Sequence, residues 1–414
     1  MKKLVALLLA LTLCIGLCAC GATAEKPAEE TPATTGETET PATDAKDIKV
    51  GFIFLHDENS TYDLNFINAA KAAAAELGLS DDQIMMKTNI AESQACYDAA
   101  AELVDAGCDL VITDSFGHES FALAAAKEFP EVQFVSCTGV KAHTEGLSNF
   151  HNAFASIYEG RYLAGVAAGL KLNEMIENGD ITAEEAKMGY VGAYPYAEVK
   201  SGYTSFFLGA RSICPSVTME VTFTSSWYDE ALEKEAANKL INNGCVLISQ
   251  HADSMGAPTA CETAGVPTVS YNGSTVAACP NTFIVSSRID WTPFFVYAIN
   301  CVASGEDIGY DWTGTLATGS VVLTEVNEQA AAAGTVEKIA EVMKALEDGS
   351  VKVFDTATFT VNGETVTTYL ADVDDLGDYV GETEAISDGA FLESFYRSAP
   401  YFDLDIDGIT NLDA

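Results

Sequence analysis

Ile48-Lys49-Val50-Gly51-Phe52-Ile53-Phe54-Leu55 is near-continuous in apolar residues, the pattern of a strand buried on both faces of a sheet. A polar loop follows. Phe66 to Leu77, rich in alanine and closed by Gly78, then reads as a helix with a C-terminal stop. The unit repeats. Ile84–Met86 is a short strand, Glu92–Ala106 a helix ended by Gly107, and Leu110–Thr113 a strand. Phe121–Glu128 is a helix stopped before Pro130, and Val132–Ser136 is another strand. Strand and helix alternating at this interval predict parallel βαβ units in a doubly wound sheet.

A long helix, Ile157 to Met175, carries the chain away, and the alternation restarts. Strands are expected at Met188–Gly192, Thr218–Phe223, Val246–Ser249 and Thr268–Ser270, with helices at Val199–Ser212, Glu230–Asn242 and Thr259–Ala264 between them. Phe283–Ser287 reads as a return strand and Trp291–Ala303 as a helix packed back on the first lobe. Thr335–Leu346 is helical and stopped by Gly349, and Val353 to Leu370 reads as a hairpin around Asn362-Gly363. The fold class is α/β: two doubly wound parallel-sheet lobes joined by a hinge and facing across a cleft. The expected boundaries are 47–150 plus 286–320 for lobe 1, and 151–285 plus 321–414 for lobe 2.

The first residues read differently. Lys2 and Lys3 precede an apolar run from Leu4 to Leu17, broken only by Thr12 and Gly16. The run is too short for a membrane span of about 20 residues and has the form of a signal peptide, residues 1–19. The junction Leu17-Cys18-Ala19-Cys20-Gly21 resembles a bacterial lipobox, which implies that Cys20 becomes the first mature residue and carries acyl chains such as palmitate. Stable anchoring takes more than one chain. Residues 20–46 hold Thr, Ala, Pro and Glu without aromatics, so they are expected to form a flexible tether. The chain is thus expected outside the cytoplasm, held to the membrane by its N-terminal lipid.

Removing the first 19 of 414 residues leaves 395, too long for one compact core and suited to two lobes. The formal charge is −40 for the whole chain, with acidic residues spread along it. Such a surface repels phosphate and argues against a nucleic-acid partner. Eight cysteines follow Cys20, none in a C-x-x-C pair and most within apolar runs such as Gly244-Cys245-Val246-Leu247-Ile248, where a thiol packs as a small hydrophobe.

In open α/β sheets ligands bind beyond the carboxyl ends of the strands. That rule nominates the loops 56–63, 114–118, 194–198, 225–229, 250–254 and 271–273. They are rich in aromatic, amide and carboxylate residues, including Asn59, Tyr62, Asp63, Ser115, Phe116, Gly117, Tyr194, Trp227, Tyr228 and Asp253. A flat apolar ligand with a hydrogen-bonding edge suits them. Asp253 stands out, because a carboxylate beyond a buried strand needs a partner. Glu198 reads as a cap of the helix that starts there. His251 reads as a side chain that orients its neighbouring loop.

Catalysis is the rival of binding. His56-Asp57 and His251-x-Asp253 could form a divided metal site. No H-E-x-x-H, G-x-S-x-G or G-x-x-x-x-G-K-[ST] pattern occurs, so neither an enzyme nor a metal or cofactor is expected.

Several stretches, in order, resemble the basic membrane protein family, the substrate-binding lipoproteins of ABC transporters that include purine nucleoside receptors. They are VGFIF at Val50–Phe54, CDLVITDSFGH at Cys108–His118, KEFPEVQFVSCTG at Lys127–Gly139 and YEGRYLAGVAAG at Tyr158–Gly169. GYVGAYPYAEVKSGYTSFFLGAR at Gly189–Arg211, SSWYDEALEKEAANKLINNG at Ser225–Gly244 and ISQHADS at Ile248–Ser254 continue the set. The resemblance covers residues 48–355 and leaves out the last sixty or so. It implies a periplasmic-binding-protein-like (type I) fold and a monomer that binds a purine base or nucleoside and hands it to an ABC permease by hinge closure. The alternatives are a sensor docking on a membrane signalling receptor and a binder of a sugar-like solute.

The resemblance also implies roles. Tyr62 takes the position of an aromatic that stacks on the purine. Asn59 stands where the family usually has Asp, with Asp57 nearby as a substitute. Phe116 and Gly117 match a loop that closes over the base, and Asp253 a carboxylate that receives its hydrogen bonds. Trp227 and Tyr228 match an aromatic pair of the second lobe, Tyr271 and Asn272 a polar loop for the sugar, and Trp291 a tryptophan near the hinge.

Overall fold

Val50–Ile53 (β1) is buried at every position, as its apolar run requires, and every other element of the first lobe is arranged around it. Thr61–Leu77 (α1) follows, capped by Ser60, whose hydroxyl accepts from the Asp63 N–H, and stopped by Gly78 in the left-handed conformation. The chain continues through Ile84–Lys87 (β2), Gln94–Asp105 (α2), Leu110–Thr113 (β3), Glu119–Glu128 (α3), Gln133–Cys137 (β4), Ala142–Glu145 (α4) and Phe150–Ala155 (β5). In this computed structural model, residues 48–373 and 381–413 are described. The expected signal peptide, Cys20 and the tether to residue 46 lie outside the described residues.

Ile157–Asn178 (α5) leads to the second lobe: Lys187–Gly192 (β6), Ala197–Ile213 (α6), Thr218–Phe223 (β7), Glu230–Asn242 (α7), Leu247–His251 (β8), Gly256–Ala264 (α8), Thr268–Tyr271 (β9) and Phe283–Ile289 (β10). Thr292–Ser304 (α9) returns to pack on α1. Asp311–Gly314 (β11), Val321–Leu323 (β12) and Thr335–Glu347 (α10) follow. The remainder holds four two-residue strands, Leu370–Ala371 (β13), Thr383–Glu384 (β14), Ile386–Ser387 (β15) and Ala390–Phe391 (β16), and then Ile409–Asn411 (β17).

The first sheet has the order β11-β5-β4-β3-β1-β2 and the second β12-β10-β9-β8-β6-β7-β17. Every pairing in them is parallel except β10 with β12. The α/β fold of two doubly wound lobes is therefore as the alternation predicts. β5 belongs to the first sheet and β10 to the second, so the chain changes lobe at residues 155–157, 289–292 and 314–321. The boundaries expected at 150/151 and 285/286 fall inside β5 and β10, which pair in the first and the second sheet, and 320/321 falls just before β12.

Buried residues cover both faces of each sheet. The closest helix contact is α5 against α6, where glycines let the backbones touch. A Cβ on Gly165 would stand 2.0 Å from the Phe206 carbonyl oxygen, and one on Gly209 2.1 Å from that of Tyr162. The hairpin expected across Val353 to Leu370 shrinks to a single bridge, Val361 with Glu364. Asn362 and Gly363 make the turn with positive φ, but the flanking residues pack Phe354 and Phe359 into the second lobe instead of pairing. The eight described cysteines are free and buried. Among the described residues no helix is long and apolar enough to cross a membrane.

Candidate ligand-binding cleft

The carboxyl ends of both sheets face one cleft, a gap of about 370 Å³ counted together with the open solvent at its mouth. From lobe 1 it receives Leu55, His56, Tyr62, Asp63, Ser115, Phe116 and Thr138. Lobe 2 supplies Glu198, Trp227, His251 and Asp253. The lobes touch at its rim through His56 and Tyr228, with ring centres 5.4 Å apart, and through Phe116 and Tyr196, 5.8 Å apart. At its base the Thr61 N–H donates to the Asp253 carbonyl at 3.2 Å, and Asn65 Nδ2 donates to the Asn272 carbonyl at 2.9 Å.

On the lobe 1 side, α1 turns Asp63 back toward the end of β1. Its carboxylate accepts from the His56 N–H at 2.7 Å and from Ser60 Oγ at 2.6 Å. Burial alone would raise the Asp63 pKa, but hydrogen bonds from His56, Asp114 and Ser60 outweigh it and the net shift is downward. Its neighbour Asp114 is fully buried, and burial together with the Asp63 charge pushes its pKa well up. The two carboxyls are thus set apart: Asp63 gives up its proton the more readily and Asp114 the less. Tyr62 is fixed by donating from its hydroxyl to the Asp114 carbonyl at 2.6 Å. Ser115 Oγ and the Gly117 N–H both donate to Glu92 Oε1, at 2.5 and 2.9 Å, which holds Phe116 at the rim, 37% exposed.

On the lobe 2 side, Trp227 meets Tyr194 edge-on at 5.1 Å, and Tyr194 stacks on Tyr196 with the planes 9° apart. Asp253 accepts from Asn272 Nδ2 at 3.2 Å. Burial, with the charges of Asp63 and Glu233, drives its pKa well above the usual carboxylate range. The cleft thus sets two buried carboxyls of opposite pKa tendency, Asp63 downward and Asp253 upward, beside aromatic faces.

The reading of Glu198 as a helix cap is corrected. The capping position of α6 is Tyr196, whose side chain makes no capping bond, and the Glu198 carboxylate turns to His251 Nε2 at 3.3 Å. Burial lowers the His251 pKa against the pull of Glu198. Beneath this pair the buried Arg161 guanidinium lies 4.5 Å over the Tyr271 ring and donates to the Gln250 carbonyl at 3.0 Å.

Of the residues nominated from sequence, the structure brings Tyr62, Asp63, Ser115, Phe116, Trp227 and Asp253 to the cleft lining. Tyr194, Tyr228 and Asn272 stand behind or beside them, tied to Trp227, His56 and Asp253, and Gly117 follows Phe116 with its N–H on Glu92. Tyr271 is buried one layer down, its ring 4.6 Å from His251. Trp291 is packed into the lobe 1 core, stacked on Phe66 at 4.4 Å. Asn59 is exposed and bonds back to Asp57 Oδ1 at 2.8 Å, which keeps both off the lining. Sequence reasoning missed Leu55, His56, Thr138, Glu198 and His251 as lining residues. Among the described residues no group of three or more His, Cys, Asp or Glu stands where it could hold a metal ion.

The model of the Bmp family, described as PnrA-like substrate-binding proteins of ABC transporters, matches residues 53–353. The chain belongs to this PnrA-like family. Its members bind small ligands for ABC permeases and are transport proteins rather than enzymes. A purine-binding protein of Brucella abortus (strain 2308) is 31% identical over 261 residues, 62% of this chain and 69% of the relative. A Haloferax volcanii protein named for glucose binding in an ABC transporter is 32% identical over 217 residues, about half of each chain. A solute-binding protein of an ABC transporter system from Aeropyrum pernix K1 has a TM-score of 0.62 at 18% identity, over 74% of this chain and 93% of that one. This last likeness concerns the fold alone.

Proposed function

We propose that this PnrA-like protein binds a purine base or nucleoside between its lobes and delivers it to an ABC permease from outside the cytoplasm, held to the cell membrane by acyl chains on Cys20. The carrying observation is the meeting of two buried carboxyls, Asp63 of lobe 1 and Asp253 of lobe 2, with Tyr62, Phe116 and Trp227 in one cleft. A purine has a flat face for the rings and an edge that alternates donors and acceptors. The relative named for purine binding supports the same reading. The lipid anchor is supported by the sequence around Cys20. Hinge closure supplies the handover: contacts such as Thr61 to Asp253 form only when the lobes meet, so a ligand that bridges them favours the closed form.

A thermal-shift screen against purines, pyrimidines, nucleosides and hexoses tests the ligand. A purine present at about 100 times its Kd should stabilise the protein by about 2.7 kcal/mol. Asp253→Ala should weaken that ligand by about fivefold or more, since leaving a buried hydrogen-bond partner unsatisfied costs about 1–3 kcal/mol. The relative named for glucose makes a sugar the second reading. A shift with hexoses and none with any purine would establish it instead.

A further inference from the structure

Three stretches carry the chain between the lobes, 155–157, 289–292 and 314–321, and all lie within the residues that the family model matches. A further link comes from beyond residue 353, where that match stops. Most of this C-terminal part is rooted in lobe 2. Phe354, Phe391 and Phe402 join its core. Lys200 of α6 reaches Asp403 at 2.8 Å and Asp405 at 3.1 Å, and Arg211 Nη2 donates to the Thr358 carbonyl at 2.6 Å. β17 then pairs with β7 at the edge of the second sheet.

From this footing the chain reaches lobe 1 at the turn 397–400. Arg397 Nε and Nη2 donate to the Ala399 and Pro400 carbonyls at 3.0 and 3.1 Å, which curls the turn around Ser398. The Ser398 N–H donates to Asp311 Oδ2 at 2.7 Å, and Ser398 is fully buried. Asp311 opens β11, a strand of the first sheet. It stands three residues before Gly314, where that strand ends, which puts it about 10 Å from the hinge at about 3.3 Å per residue. A lobe rotation of about 15°, the size of a known rigid-body switch, would move a point at that radius by about 2.6 Å and take the bond past hydrogen-bond range. The bond therefore belongs to the closed arrangement.

We propose that the C-terminal part is a strap across the hinge, rooted in lobe 2 and fastened to lobe 1 through Ser398 and Asp311 only while the lobes are closed. The inference does not depend on which ligand the cleft takes. A fastened strap favours the closed form with or without ligand. Without it the closed form is populated less, and the apparent affinity falls by the same fraction. One hydrogen bond to a carboxyl oxygen can bias such an equilibrium by about tenfold. That is enough to matter for capture, and little enough to let the lobes part when the ligand is handed over.

Amide hydrogen exchange of the full-length protein without ligand tests this. The Thr61 N–H, on the Asp253 carbonyl, and the Ser398 N–H both bridge the lobes, so one opening should free both, with protection factors within about fivefold of each other. Asp311→Ala should lower the protection of Thr61, whose own bond the substitution leaves intact, by about fivefold or more. Asp311→Asn keeps an acceptor oxygen and should restore most of it. With inosine as the probe, Asp311→Ala should raise the Kd by a similar factor. A wider gap between the two amides would show that the Ser398 bond opens independently of the lobes, and overturns the strap. So does unchanged Thr61 protection in a folded Asp311→Ala, or an equal loss in Asp311→Asn. If Asp311→Ala does not fold, the two amides of the unaltered protein decide. Failure of inosine to bind the wild type would count against the purine reading and leave the exchange result standing.

Discussion

Trp227→Ala is the sharpest test of the aromatic cleft. The indole lies between Tyr194, 5.1 Å away, and His251, 6.4 Å away, so truncation leaves a gap in the lobe 2 wall. The Trp227 carbonyl, which accepts from the Asp253 N–H at 3.0 Å, is backbone and survives the change. The loss is therefore confined to ring contact. A ligand covering about 50 Å² of the indole forfeits about 1.2 kcal/mol of apolar burial at about 25 cal/mol per Å². Stacking adds about 0.5–1.5 kcal/mol. Together these predict a Kd about 15- to 100-fold higher, with Trp227→Phe intermediate. Calorimetry with inosine measures it, and emission gives an independent reading. Of the three tryptophans, Trp291 is buried in lobe 1 and Trp312 packs on Phe294 at 5.0 Å. A ligand-dependent change in emission should thus vanish in Trp227→Phe. A Kd within about threefold of wild type for Trp227→Ala, or an emission change that persists in Trp227→Phe, would refute the placement.

Two further outcomes concern the scaffold. Burial raises the Glu393 carboxyl to about 7. It is protonated more readily in the folded chain than in the unfolded one, so its stabilising contribution is full below a pH of about 4.5 and is lost as pH rises through 7. Glu159 and Glu233 are also raised to about 7 by burial and act in the same sense. Glu393→Gln should gain on the order of 2–3 kcal/mol over wild type at pH 8 relative to pH 5. Denaturant melts at the two pH values measure this, and a difference that does not change with pH would contradict it. Gly209→Ala should lower stability by about 1–3 kcal/mol through overpacking of α5 on α6, and an unchanged denaturation midpoint would show that the helices separate without cost.

The parallel sheets were legible because strands buried on both faces read as apolar runs and several helices end at a left-handed glycine. β5 was not, since His151 and Asn152 break its apolar run. Both are buried only because Gln133, Glu119 and neighbouring carbonyls satisfy them, and those partners are distant in sequence. β11 and β17 are short and pair across more than 150 residues, which no local pattern records. In the cleft, the rule of the strand ends located the loops but not the aim of each side chain. Glu198 lies in the first turn of α6, where a helix dipole explains a carboxylate. Its second role depends on His251, brought close only by the sheet. Trp291 and Tyr271 stand at the right places in the chain but face the interior.

β17 lies parallel along β7 as the outermost strand of the second sheet, and just after it Asp413 accepts from the Phe223 N–H at 2.7 Å and from Thr222 Oγ1 at 2.8 Å. Without that cover, β7 would present a row of unpaired backbone groups to any other extended chain. The guard is supplied about 190 residues later than the strand it protects, so during synthesis the β7 edge stays open until residues 409–411 have emerged. Loss of those three residues would therefore tell first as self-association of copies through β7, before any change in ligand affinity.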